Sequence, residues 1–165
     1  MLFAFDSGVK LAINNGLLCE LLKDLHKFGF DLESGGILLG GYDFQRGEYR
    51  VTGFTRPGLW DCRGRTYFVR DKMSANRAIR IAWERSGGAI NYLGEWHTHD
   101  EVKPMPSEVD KNLMEQIVKD GDCVFSHCFM MIIGSGGGIF CGEVERNGTG
   151  QFVGERWSSW RESAS

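Results

Sequence analysis

An α/β domain, built as a single mixed β-sheet flanked by helices, is what the sequence predicts, on three observations. Three segments carry apolar residues three and four apart, the spacing of a helix with one buried stripe. Short apolar runs bounded by glycine lie between them and read as strands. Some of these runs are joined by tight turns and others by helices, so antiparallel and parallel neighbours must share one sheet. A length of 165 residues suits one domain. Residues 1–157 are assigned to it, and the polar end 158–165 (SSWRESAS) reads as a tail.

The elements follow in order. Residues 2–5 and 9–13 predict a short strand pair. From Asn15, the positions Leu17, Leu18, Leu21, Leu22, Leu25 and Phe28 predict a helix that Gly29 ends. Residues 36–41 and 49–55 read as strands joined by a turn around Gln45, Arg46 and Gly47. Residues 57–65 form a loop before a short strand at 66–69. A second helix is predicted over 74–85, with Ala75, Ala78, Ile79, Ala82 and Trp83 inward and three arginines outward; Gly87 and Gly88 stop it. Residues 90–96 are a strand, and 100–106 a loop held by Pro104 and Pro106. A third helix starts near Ser107, with Val109, Leu113, Met114, Ile117 and Val118 on one stripe. Residues 129–133 and 139–144 make a hairpin around GSGGG, and 151–157 add an edge strand.

Composition excludes several function classes. The 19 basic and 22 acidic residues give a net charge of −3 without a long run of either sign, so no nucleic-acid partner is expected. No apolar stretch approaches the roughly 18 residues of a membrane span, and the opening MLFAFDSGVK lacks the features of a signal peptide. Five cysteines (Cys19, Cys62, Cys123, Cys128 and Cys141), without CxxC spacing, fit reduced thiols in a cytoplasmic protein.

Chemistry concentrates in Glu95-Trp96-His97-Thr98-His99, seven further residues, then Ser107-Glu108-Val109-Asp110. Two of the chain's four histidines sit in that tripeptide. Histidines two apart on a strand face the same side and reach one ion. Asp110, in the first turn of the next helix, supplies a carboxylate from across the loop. Two His and one Asp form a three-ligand zinc set that leaves a fourth position for water. Reactivity then needs a nearby base. Glu33, in ESGGILLG, reaches in from a separate segment, and the glycines behind it allow close backbone approach. Glu95, on the strand face of His97, is the competitor.

Plainer readings stand beside this one. Ser107 and Asp110 also suit a helix start, as N-cap and N3 acid. A lone His-x-His is commonly two outward polar residues, and it is the combination at fixed offsets that favours a metal set. GSGGG lacks a GxGxxG or Walker lysine and reads as a hairpin turn. Neither HExxH nor a PCxxC deaminase signature occurs. His26 and His127 read as surface or core histidines, Trp96 as sheet packing, and Cys123 and Cys128 as core thiols.

The same residues resemble the JAB/MPN (JAMM) metallopeptidases. Their motif is an upstream Glu, then His-Ser/Thr-His-Pro, with seven residues separating the second His from a Ser, and then an Asp. The resemblance spans about residues 7–157 and implies the JAB/MPN, cytidine-deaminase-like fold. It implies one catalytic Zn2+ held by His97, His99 and Asp110, Glu33 as general base and Ser107 as oxyanion-stabilising group. Asp100 stands where the family has proline, which predicts a looser loop or an extra acid near the metal. Family members hydrolyse peptide or isopeptide bonds to remove ubiquitin or ubiquitin-like modifiers. YLGEWHTH with P-x-P-S-x-x-D is most similar to the JAB peptidases of bacterial ubiquitin-like operons, including CBASS anti-phage systems. That similarity implies deconjugation of a cGAS-like nucleotidyltransferase whose extended C-terminal tail lies in the active-site groove. A sulfur-carrier-tail peptidase and a non-catalytic MPN scaffold are the alternatives.

Overall fold

The structure, a computed structural model, describes residues 1–159. Its elements are β1 (Leu2–Ala4), β2 (Lys10–Ile13), α1 (Asn15–Phe28), β3 (Gly35–Asp43), β4 (Glu48–Phe54), β5 (Cys62–Arg63), β6 (Phe68–Val69), α2 (Lys72–Arg85), β7 (Asn91–His99), α3 (Glu108–Asp120), β8 (His127–Gly134), β9 (Gly138–Glu145) and β10 (Gly154–Ser159). Eight strands form one sheet in the order β1-β2-β4-β3-β7-β8-β9-β10, and β5 and β6 make a separate two-stranded ribbon. Two neighbour pairs in the large sheet, β2–β4 and β7–β8, are parallel, and the others are antiparallel. The predicted mixed α/β sheet is therefore the observed one.

Helices cover both faces. Along β8, Phe129, Met131 and Ile133 join the core that contains Leu18, Leu21 and Leu25 of α1. The alternate residues Cys128, Met130 and Ile132 join Ala75 of α2 and Met114 and Ile117 of α3 in a second core. That two-residue period is the strand geometry, and covering both faces is why β7, β8 and β9 are almost wholly buried.

Local signals set the helix ends. The Asn14 side chain accepts the Gly16 N–H at 2.7 Å, and Gly29 closes α1 at φ 67°. α3 opens with a capping box between Ser107 and Asp110 and closes on Gly121 in the left-handed region. No described helix is long and apolar enough to cross a membrane.

Some expectations change. Trp83 is 51% exposed instead of inward; α2 meets the core through Ala75, Ala78 and Ile79, all N-terminal to it. Val109 and Leu113 are exposed as well, and both border the groove described below. The 57–65 loop contains β5. β10 runs to Ser159, so the first two residues assigned to the tail are strand, and 160–165 lie outside the described residues.

β7 carries a register shift against β3 at Leu38 and Leu39. Gly94 sits at the irregularity with φ 153°, and a Cβ there would lie 1.8 Å from the Phe129 carbonyl oxygen. Leu93 and Trp96, three residues apart, consequently share the α1-side core, which leaves Tyr92, Glu95, His97 and His99 on the other face.

Candidate active site

His97 and His99 end β7. Their Nε2 atoms lie 3.1 Å apart, and Asp110 Oδ1 is 3.1 Å from the Nε2 of His97. Asp110 Oδ2 is 3.5 Å from the Nε2 of His99. One ligand atom from each of the three residues lies within 4.8 Å of the others. Glu33 faces them from the α1–β3 connection, with Oε1 4.0 Å from His99 Nε2. All four are buried or nearly so.

The chain brings Glu33 there by pairing its neighbour with the histidine strand. The Ser34 N–H donates to Thr98 Oγ1 at 2.9 Å, and the Thr98 N–H donates to the Ser34 carbonyl at 2.8 Å. Gly35 then pairs with His97. A Cβ on Gly35 would lie 2.5 Å from the Phe68 ring, so the glycine expected to permit close approach does so.

Ser107 is both N-cap and cluster neighbour. Its hydroxyl donates to Asp110 Oδ2 at 2.7 Å, its N–H donates to the same oxygen at 2.7 Å, and its Oγ accepts the Asp110 N–H at 3.2 Å. These bonds leave Asp110 Oδ1 turned toward His97. Glu95 is occupied elsewhere. Its carboxylate accepts from Tyr92 Oη at 2.8 Å and from Arg70 Nε at 2.9 Å.

Electrostatics follow from this crowding. Burial raises the Asp110 pKa, but bonding to His97, His99 and Ser107 outweighs it and holds the carboxyl well below the usual range. Burial lowers His99, yet Asp110, Glu33 and Glu101 bring its pKa above the ordinary value. Burial pushes the Glu33 carboxyl up, against the pull of His97 and His99. Carboxylates thus outnumber imidazoles around the cluster, which favours a cation. The donors fit zinc: two nitrogens on a tetrahedral ion at 2.0–2.1 Å stand about 3.3 Å apart, close to the 3.1 Å found here.

Asp100, in the family's proline position, is exposed, and the acid nearest the imidazoles in that loop is Glu101, with Oε2 3.9 Å from His99 Nδ1. The loop is held without the proline. Glu101 Oε2 accepts the Met105 N–H at 3.2 Å, and Trp157 Nε1 donates to the Pro104 carbonyl at 3.3 Å. Trp96 is packing, as expected; it is buried, and its Nε1 donates to the Thr55 carbonyl at 3.0 Å.

In front of the cluster lies a groove of about 520 Å³. Phe68 and Val69 of β6 and Val109 and Leu113 of α3 are among the residues that line it. Sequence reasoning missed Arg63 and Arg70, which anchor the ribbon beside it. Their partners lie 30 and 25 residues away, and no spacing rule connects such pairs.

A mixed α/β sheet whose central strand ends in two converging imidazoles, met by a helix-borne carboxylate, defines a domain with a candidate metal centre at one sheet end. Residues 20–148 match the family described as prokaryotic homologs of the JAB domain, and the chain belongs to it. A Vibrio cholerae protein named CD-NTase/cGAS isopeptidase is 33% identical over 113 residues, covering 68% of this chain and 70% of its own length. A Pseudomonas aeruginosa protein of the same name is 39% identical over 109 residues, covering 66% and 68%. The solution structure of a Desulfitobacterium hafniense protein has the same fold, with a TM-score of 0.61 at 16% identity over 90% of both chains.

Proposed function

We propose that this protein is a cytoplasmic, zinc-dependent isopeptidase that frees a cGAS-like nucleotidyltransferase from its conjugates in anti-phage defence. The observation that carries the reading is the convergence of His97, His99 and Asp110 within 4.8 Å, with the Glu33 carboxylate facing them. The isopeptidase names of the Vibrio and Pseudomonas relatives support the reaction and substrate class. The free state of all five cysteines supports a reducing compartment.

His97, His99 and Asp110 hold the ion in this reading. Bound zinc acts as a Lewis acid and lowers the pKa of water from 15.7 to about 7. Glu33 is the base: as water adds to the scissile carbonyl carbon, one proton passes to Glu33 Oε1. The C–N bond then breaks and that proton goes to the departing amine. The Glu33 carboxylate faces the three-residue cluster, the position from which a base can accept and then return a proton. The Ser107 hydroxyl turns its proton from Asp110 to the carbonyl oxygen, where negative charge develops. Its Oγ stays in place through the bond from the Asp110 N–H.

The substrate tail lies extended in the groove between β6 and α3. β6 pairs only with β5 among the described residues, so its second edge is open to an added strand. Val69, Val109 and Leu113 offer apolar contact to either side of it.

Zinc analysis and cleavage of a nucleotidyltransferase-tail fusion test the reading. One zinc per chain with chelator-sensitive cleavage is expected. A zinc-loaded protein that leaves the fusion intact overturns it, and cleavage of a sulfur-carrier-tail fusion instead moves the substrate to that class.

A further inference from the structure

The β5–β6 ribbon has two residues per strand, and a two-stranded ribbon is not stable alone in water. Two arginines fasten it to opposite sides of the candidate centre. Arg63 reaches the Glu33 segment: Nε donates to the Glu33 carbonyl at 2.8 Å, and Nη2 donates to the Leu32 carbonyl at 3.3 Å and to Ser34 Oγ. The Glu33 N–H donates in turn to the Gly64 carbonyl at 2.8 Å. Both backbone groups of Glu33 therefore end on adjacent ribbon residues. Arg70, just past β6, donates to both oxygens of Glu95 at 2.9 and 3.2 Å, and Glu95 lies buried two residues before His97.

We propose that Arg63 and Arg70 are positioning residues with separate tasks, Arg63 setting the reach of the Glu33 carboxylate and Arg70 fixing the open edge of β6 beside the metal ligands. This rests on the hydrolase reading above. Arg63 holds the Glu33 backbone and lies outside the groove lining, so its loss acts on the chemical step. Arg70 lines the groove and ties β6 to β7, so its loss acts on tail binding. Displacement of a reacting group by about 1 Å costs roughly 100-fold in rate, so a clamp on the base is felt at full strength.

Steady-state cleavage of the nucleotidyltransferase-tail fusion by zinc-loaded protein tests this. Arg63→Ala should lower kcat by about 100-fold with KM and zinc content unchanged. Added guanidinium should restore part of that rate, which a general loss of folded protein would not allow. Arg70→Met strands a buried carboxylate, so it is paired with Glu95→Gln. The double variant should raise KM about tenfold, a change of 1.4 kcal/mol, and keep kcat within about twofold. Arg63→Ala with parental kcat, or a loss that tracks zinc content, overturns the Arg63 assignment. A double variant with parental KM overturns the Arg70 assignment. A parent that holds zinc and does not cleave sinks the hydrolase reading itself, and with it this inference; a cleaving parent with insensitive variants sinks the inference alone.

Discussion

Two histidine–carboxylate clusters occupy opposite ends of the central strands, and they are put together differently. At one end, where His99 pairs with Gly134, ligand atoms face one another. The two Nε2 atoms and Asp110 Oδ1 converge, with the Glu33 and Glu101 carboxylates close to His99 as well. At the other end, His127 opens β8, its Nε2 3.4 Å from Glu143 Oε1. There the acceptors have donors. Ser7 Oγ donates to the Glu143 carboxylate, at 2.9 Å to Oε2. Ser126 Oγ bonds Tyr49 Oη at 2.7 Å and lies 3.1 Å from His127 Nδ1. One arrangement leaves room for a cation. The other closes on itself and ties the turn after β1 to β4, β8 and β9. Residue type alone does not separate the two clusters; the convergence of three side chains on one point does.

Exchanging the roles of the two ends is the strongest way to break that contrast. His97→Ala and Asp110→Ala should each lose zinc and all turnover, since two ligands do not hold the ion at a three-ligand site. His127→Ala should keep both and lose about 1–3 kcal/mol of stability through the orphaned partners. Elemental analysis beside thermal melts decides it, and stoichiometric zinc in the His97 variant would void the ligand assignment. Next in size, Glu33→Ala should retain zinc while its rate drops about 10²–10⁴-fold, the usual worth of a general base. Surviving turnover would move the base to Glu95, against the bonds that already engage that carboxylate. Ser107→Ala sharpens the comparison further. It should lose about 3 kcal/mol of transition-state stabilisation and about 1 kcal/mol of folding stability as a removed N-cap. A melt shift with unchanged kcat would leave Ser107 a cap only.

How much of this was legible varies with the kind of contact. His97 and His99 were readable because a strand's two-residue period fixes their common side. Ser107 and Asp110 were readable as a helix start, and the capping-box bonds between them are present. Trp83, Val109 and Leu113 were misplaced for one reason. Helical spacing tells which residues share a side, not whether a neighbour covers it. The hairpin at GSGGG was legible as a turn, but not as a cradle: a Cβ on Gly134 would lie 2.2 Å from the Glu101 carbonyl oxygen, so the hairpin presses on the loop after His99. Arg63 and Arg70 carry no local signal because their partners become neighbours only through the fold.

The smallest expected effect concerns the closed network alone. Burial pushes the Glu143 carboxyl above its ordinary value, against the bond from Ser7 and the charge of His127. A raised folded value means that the folded chain holds this proton more tightly than the unfolded one. The group therefore favours folding below the unfolded carboxyl pKa of about 4.3, and that contribution is lost as pH rises through the folded value. Glu143→Gln removes the titration and keeps an acceptor for Ser7. Melting temperatures of parent and variant from pH 4 to 7 should diverge in the variant's favour as pH rises. Divergence the other way would mean that the charged pair with His127 outweighs burial, making this end of the sheet an ion-paired anchor instead of a hydrogen-bonded one.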